Sequence, residues 1–194
     1  MDSLTLDVKS TRLTDEQFFE LCSANRDLRF ERSADGELII MPPVTGRSGY
    51  RNIKLSQQLA NWVDTNDLGV GFDSSTGFKL PNGADRSPDA SWVRRERLEA
   101  LTEEQKDSFL PLAPDFVVEL RSKTDLLKTV QAKMQEYMDN GVRLGWLIDP
   151  KSQRVEIYHP GKEVEVLEAP VSLSGEAVLP GFRLDLSSLW INSF

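Results

Sequence analysis

The run Asp115-Phe116-Val117-Val118-Glu119-Leu120-Arg121, followed by Asp125 to Asn140, Gly141, and Arg143-Leu144-Gly145-Trp146-Leu147-Ile148-Asp149, decides the fold. Its first and last parts are apolar runs of strand length, and the apolar spacing between them has a period near 3.6 residues. Leu126, Val130, Met134 and Tyr137 make one stripe of a helix that Gly141 ends. Strand, helix, strand in this order is a βαβ unit, whose right-handed crossover makes the two strands parallel neighbours under the helix. The expected fold class is therefore mixed α/β.

Working outward, Thr14 and Gln17 have the spacing of a capping box, and Phe18, Phe19 and Leu21 give the short helix behind it an apolar side against which Cys22 packs. Leu28 to Arg32 and Glu37 to Met41 read as a hairpin turned by Asp35-Gly36. Ile53, Leu55, Leu59, Trp62 and Val63 predict a helix from about Arg51 to Val63. Short strands follow at 70–73, 77–80 and 89–93. The charged segment Arg94 to Lys106 predicts a helical excursion on the surface, and 154–158 and 163–167 predict antiparallel strands turned by Pro160-Gly161. A length of 194 residues with 39% hydrophobic content fits one domain over 1–194.

Acidic residues outnumber basic ones 31 to 23, a net charge of -8, which argues against a protein that coats nucleic acid through bulk charge. Any DNA contact has to be local. Arg47, Arg51 and Lys54, or Arg94, Arg95 and Arg97, are candidates for it, and each group also reads as solvated surface. Cys22 and His159 are the only residues of their kinds, which excludes an internal disulfide, a zinc cluster, a Cys/His nucleophile pair and a multi-histidine metal site. Oxygen ligands and hard metals remain. His159, beside Pro160-Gly161, reads as a turn residue without a chemical role. No basic stretch leads into an apolar run at the N-terminus, so the expected location is cytoplasmic and no membrane contact is called for.

Alternation along a strand sets Asp115, Val117, Glu119 and Arg121 on one face, and Asp89, Ser91 and Val93 on one face of theirs. If the two strands are neighbours, Asp89 meets Glu119. Two converging carboxylates suit Mg2+, which takes one or two of them plus waters and phosphate oxygens, whereas the plainer reading is the solvated face of an amphipathic strand. Helix phase brings Lys133 to the border of the apolar stripe and leaves Lys128 on the far side. Lys133 then either leans toward the sheet or snorkels along apolar surface.

Taken together, Ser87-Pro88-Asp89-Ala90, Pro114 to Ser122, Lys133 to Tyr137, Asn140-Gly141 and Gly145-Trp146-Leu147-Ile148-Asp149-Pro150 resemble the Uma-two family of the PD-(D/E)XK nuclease superfamily. Phe30-Glu31, Asp35-Gly36-Glu37-Leu38 and Met41-Pro42-Pro43 extend the resemblance to an N-terminal hairpin, so it covers nearly the whole chain. It implies a restriction-endonuclease-like domain: a mixed central sheet flanked by helices, with antiparallel C-terminal strands. It also implies a Mg2+-dependent endonuclease acting on DNA, with Mn2+ as a substitute metal, no small-molecule cofactor and, by analogy, a homodimer. Asp89 matches the first motif aspartate and Glu119 the second acid, both metal ligands.

The motif expects a lysine two residues beyond Glu119, where this chain has Arg121 and then Lys123. Arginine stabilises negative charge but is a poor general base. Lys133 matches a lysine that such sites sometimes take from the next helix. Glu31 resembles an N-terminal acid that joins such metal sites, and beside Arg29 and Arg32 it equally fits a surface charge cluster. The departure at Arg121 and the acidic net charge also fit a second function: a nuclease fold kept as a non-catalytic binding or oligomerisation module.

Overall fold

The computed structural model of the chain describes residues 3–11 and 13–190. In chain order the elements are β1 (Leu4–Leu6), α1 (Asp15–Ala24), β2 (Arg29–Arg32), β3 (Leu38–Met41), α2 (Gly46–Asn66), β4 (Gly69–Asp73), β5 (Phe78–Lys79), β6 (Asp85–Arg86) and β7 (Ala90–Arg94). There follow α3 (Arg95–Glu99), α4 (Glu103–Lys106), β8 (Phe116–Leu120), α5 (Leu127–Asp139), β9 (Leu144–Asp149), β10 (Arg154–Tyr158), β11 (Glu165–Glu168), β12 (Ser172–Ser174), β13 (Arg183–Asp185) and α6 (Ser187–Trp190).

A six-stranded sheet in the order β11-β10-β9-β8-β7-β4 is the centre. Only its β8–β9 pair is parallel, because only there does a helix, α5, carry the chain back to the starting end. Leu55, Leu59 and Trp62 of α2 pack on one face against Trp92, Phe116 and Trp146. Met134, Tyr137 and Met138 of α5 pack on the other against Val93, Val117 and Leu147. Gly145 makes that second contact possible, since a Cβ there would meet Met134 Cε at 2.6 Å. An antiparallel five-stranded sheet, β1-β3-β2-β6-β5, stands beside the first. No helix among the described residues is long and apolar enough to cross a membrane.

The structure differs from the sequence reading in particulars. Helix α2 starts earlier than expected, at Gly46, where Thr45 Oγ1 accepts the Ser48 N–H as an N-cap; the glycine- and serine-rich first turn carries no apolar signal. Ile53, expected on its apolar side, is 64% exposed. It lies two residues from Leu55, about 200° around the helix, and so faces away. Leu126, expected in the α5 stripe, is an extended residue ahead of the first turn and is 74% exposed. Strand β1 and the β12–β13 hairpin had no counterpart in the sequence reading.

Leu59 and Ile53 separate the two sides of α2. Leu59→Ala is expected to cost about 2–5 kcal/mol of unfolding free energy, and Ile53→Ala to change it by no more than about 0.5 kcal/mol. Urea unfolding at constant pH measures both; equal losses would contradict the placement of Ile53.

Candidate active site

The site forms where the two sheets meet. The chain passes from β6 in one sheet to β7 in the other through Ser87-Pro88-Asp89, and Pro88 contributes no N–H to either ladder. Continuing the β7–β8 register one step beyond Ala90↔Val118 sets Asp89 across from Glu119. The Asp89 carboxylate is tied at both ends: Oδ2 accepts the Leu120 N–H at 2.7 Å, and Oδ1 accepts from Asn52 Nδ2 of α2 at 3.2 Å.

From α5, Lys133 reaches this point. Its Nζ lies 2.8 Å from Glu119 Oε1 and 2.8 Å from Glu31 Oε1 on β2. One turn further, at i+4 and on the same helix face, the buried Tyr137 hydroxyl donates to Glu119 Oε1 at 3.0 Å. Glu31 Oε1 also accepts the Ser87 N–H at 3.0 Å, and Glu31 Oε2 accepts from Arg86 Nη1 at 3.1 Å. Arg86 Nε in turn donates to Glu136 Oε2 at 2.6 Å.

The electrostatics follow from burial and company. Burial raises Glu119 to about 7; Lys133 opposes the rise, and Asp89 and Glu31 add to it. Burial also raises Asp89, against the Leu120 N–H and the positive charges of Lys133 and Arg29. Burial would raise Glu31 too, but Lys133 and Arg86 outweigh it and hold that carboxyl below its ordinary value. Burial would lower Lys133, and Glu119 and Glu31 reverse this, so the ammonium stays charged. Tyr137, raised by burial and then by Glu119, stays protonated and remains a donor.

Other expected residues lie elsewhere. Arg121 does not join the carboxylates: its Nη1 pairs with Asp149 Oδ2 at 2.6 Å, and its Nε and Nη2 donate to the Asp125 carbonyl. Asp115, expected to share a face with Glu119, is at the opposite end of β8, where it accepts the Arg94 N–H and pairs with Arg97 at 3.0 Å. Arg95 pairs with Asp67. Arg95 and Arg97 are thereby committed away from the site; Arg47, Arg51 and Lys54 share α2 with Asn52, and Arg51 Nε donates to the Leu189 carbonyl at 2.8 Å. Lys128 is exposed, and His159 pairs with Glu176.

Among the described residues no three His, Cys, Asp or Glu side chains form a ready metal cage. A two-carboxylate set is a different matter. Asp89 adds to the cost of ionising Glu119, and Lys133 is a cation that Asp89, Glu119 and Glu31 all share. Two facing carboxylates, Asp89 and Glu119, fit a hard divalent cation that brings its own waters.

The family model for Uma2, described as "Putative restriction endonuclease", matches residues 15–187. The chain belongs to the Uma2 family. A search of curated proteins returned no match. Among solved structures, one described as that of "a putative nuclease belonging to DUF820" from Anabaena variabilis matches with a TM-score of 0.71 at 21% identity, covering 83% of this chain and 89% of that one. The likeness shows a restriction-endonuclease-like fold, and membership makes this Uma2 chain a nuclease-family protein.

Sequence reasoning missed Asn52, Arg86, Glu136 and the polar role of Tyr137. The signal for two of these was present, since Glu136 and Tyr137 follow Lys133 at i+3 and i+4 on one helix face. Asn52 and Arg86 meet their partners only through tertiary structure.

Because Glu119 sits above its ordinary 4.5, the folded protein keeps a proton that the unfolded chain releases, and stability falls as pH rises from about 4.5 to about 7. In chelator, the unfolding free energy of the wild type minus that of Glu119→Gln should fall through this window by up to about 1.4 kcal/mol per pH unit and level off above it. Urea unfolding across the pH series reads this directly; a difference independent of pH contradicts the assigned environment.

Proposed function

We propose that the chain is a Mg2+-dependent endonuclease that hydrolyses phosphodiester bonds in DNA. The observation that carries this reading is the meeting of Asp89, Glu119 and Lys133 at one end of the parallel strand pair. Asp89 and Glu119 would hold the cation, with Mn2+ able to replace Mg2+. Bound there, it would supply charge stabilisation to the scissile phosphate and lower the pKa of the attacking water.

The chain's own residues do the rest. Lys133 has three N–H donors, and Glu31 and Glu119 take two of them, which leaves one for a phosphate oxygen. Since the ammonium stays charged, its part is to stabilise developing negative charge rather than to accept a proton. Tyr137 orients Glu119 by donating to the same oxygen that Lys133 approaches. Arg121 occupies the position of the motif lysine, yet its pairing with Asp149 suits it to bracing the end of β8 against β9. Arg47 and Lys54, on the helix that carries Asn52, would be the candidates to meet the DNA backbone, and a homodimer would present two such sites to the two strands of a duplex.

A second reading, a non-catalytic module, draws on the same Lys133 bridge, because two of the acids already have an internal counter-ion. Cleavage separates the two readings. The purified protein should cut single-stranded, duplex or branched DNA with Mg2+ and stop with chelator, and Asp89→Ala and Glu119→Ala should each abolish cutting. Lys133→Met should lower kcat by about 10²–10³-fold, while Arg121→Met should lower it by less than about tenfold. No cleavage of any of these substrates would favour the non-catalytic module.

A further inference from the structure

We infer that Glu31 is a positioning residue: together with Arg86 and Glu136 it forms a buried ion chain that fixes Lys133 beside Glu119 and so replaces the strand lysine that this sequence lacks at Arg121. The inference rests on the proposed catalytic reading of Asp89, Glu119 and Lys133.

The starting point is chain geometry. A lysine on the strand, two residues from Glu119, would have its Cα fixed by the same ladder that fixes the acid. A lysine on α5 has to span the gap between layers on a flexible four-carbon stem, and nothing in its own backbone directs the ammonium. Glu31 supplies that direction. Its carboxylate is 3% exposed, and both of its oxygens are engaged: Oε1 by Lys133 Nζ at 2.8 Å and the Ser87 N–H at 3.0 Å, Oε2 by Arg86 Nη1 at 3.1 Å. A carboxylate occupied in this way is a counter-ion: Oε1 has both acceptor sites taken, and a metal cation at Oε2 would have to share that oxygen with the Arg86 guanidinium.

The chain also closes on itself. Arg86 of β6 holds Glu31 of β2 with one nitrogen and Glu136 of α5 with another, and Asn82 Nδ2 donates to the second Glu136 oxygen at 3.0 Å. Glu136 and Lys133 lie three residues apart on one helix. Lys133, Glu31, Arg86 and Glu136 therefore make a ring that leaves α5 and returns to it one turn later. Two anchors one turn apart set the azimuth of the helix, and Tyr137, in the same turn, then meets Glu119. The ring ties β2 and β6 of one sheet to α5, which covers the other, so the N-terminal hairpin takes part in placing the lysine.

The test uses the full chain with Glu31→Gln and, because that change leaves two cations short of a partner inside the protein, also Glu136→Gln at the more exposed end of the ring. The first readout is the Lys133 ammonium 15N signal at neutral pH, assigned by its loss in Lys133→Arg. The wild type should show a slowly exchanging signal that Glu31→Gln removes and Glu136→Gln broadens. The second is calorimetric titration with Mg2+, which Glu31→Gln should leave near the wild-type Kd. The third is kinetic: kcat should fall by about 10–100-fold with KM for DNA unchanged, and Glu136→Gln should shift it in the same direction by less.

An unmoved ammonium signal in both variants would overturn the positioning role. So would a loss of Mg2+ affinity of about tenfold or more in a folded Glu31→Gln protein, since it would make Glu31 a metal ligand. A chain that cuts no DNA would defeat the catalytic reading alone, because the ammonium signal still decides whether Glu31 holds Lys133.

Discussion

The Lys133 ammonium lies between two buried glutamates, 2.8 Å from each, and the surrounding structure is arranged to keep it there. Charges removed from water are tolerated only when paired and hydrogen-bonded, and breaking such a pair from one side costs on the order of 3–5 kcal/mol. That penalty makes Glu31, Lys133 and Glu119 interdependent. Each comes from a different element, so β2, β8 and α5 hold a common register at this point even though β2 belongs to a different sheet from β8. The aromatic core behind β7, β8 and β9, with Phe116 against Trp146 at 4.7 Å, gives these strands the rigidity that fixes the acids.

Pairing is incomplete on the side of Asp89. Its carboxylate has hydrogen bonds from Leu120 and Asn52 but no ion pair among the described residues, and burial leaves both it and Glu119 reluctant to ionise. Glu31, by contrast, has a cation on each oxygen and ionises easily. The three acids thus divide into one that is satisfied and two that are not. That division sets the facing pair Asp89 and Glu119 apart from Glu31. It also gives a divalent cation a reason to bind at Asp89 and Glu119 rather than at Glu31.

Much of this could be read from the sequence because it rests on short-range periodicity. The change from period 2 to period 3.6 and back marks β8, α5 and β9, and helix phase separates Lys133 from Lys128. The spacing of Ser87-Pro88-Asp89 and Glu119 foretold their neighbourhood through a family resemblance. What could not be read depends on contacts between distant parts of the chain. Arg32 pairs with Asp85 across 53 residues in one ladder step, and Arg86 meets Glu31 across 55, so neither the five-stranded sheet nor the ion ring leaves a local pattern. Arg121 looked like a site residue from its position in the motif, and only the register of β8 against β9 shows Asp149 waiting for it. Asp115 shares a strand face with Glu119, but sits at the other end of that strand beside Arg97.

Anomalous diffraction from crystals grown with Mn2+ decides whether Asp89 and Glu119 form a cation site completed by Lys133. The expected result is a peak within about 2.0–2.6 Å of one oxygen from each of Asp89 and Glu119, with Glu31 still bound to Lys133 and Arg86. A peak on Glu31, or none at this site with Mn2+ present in excess, would contradict it.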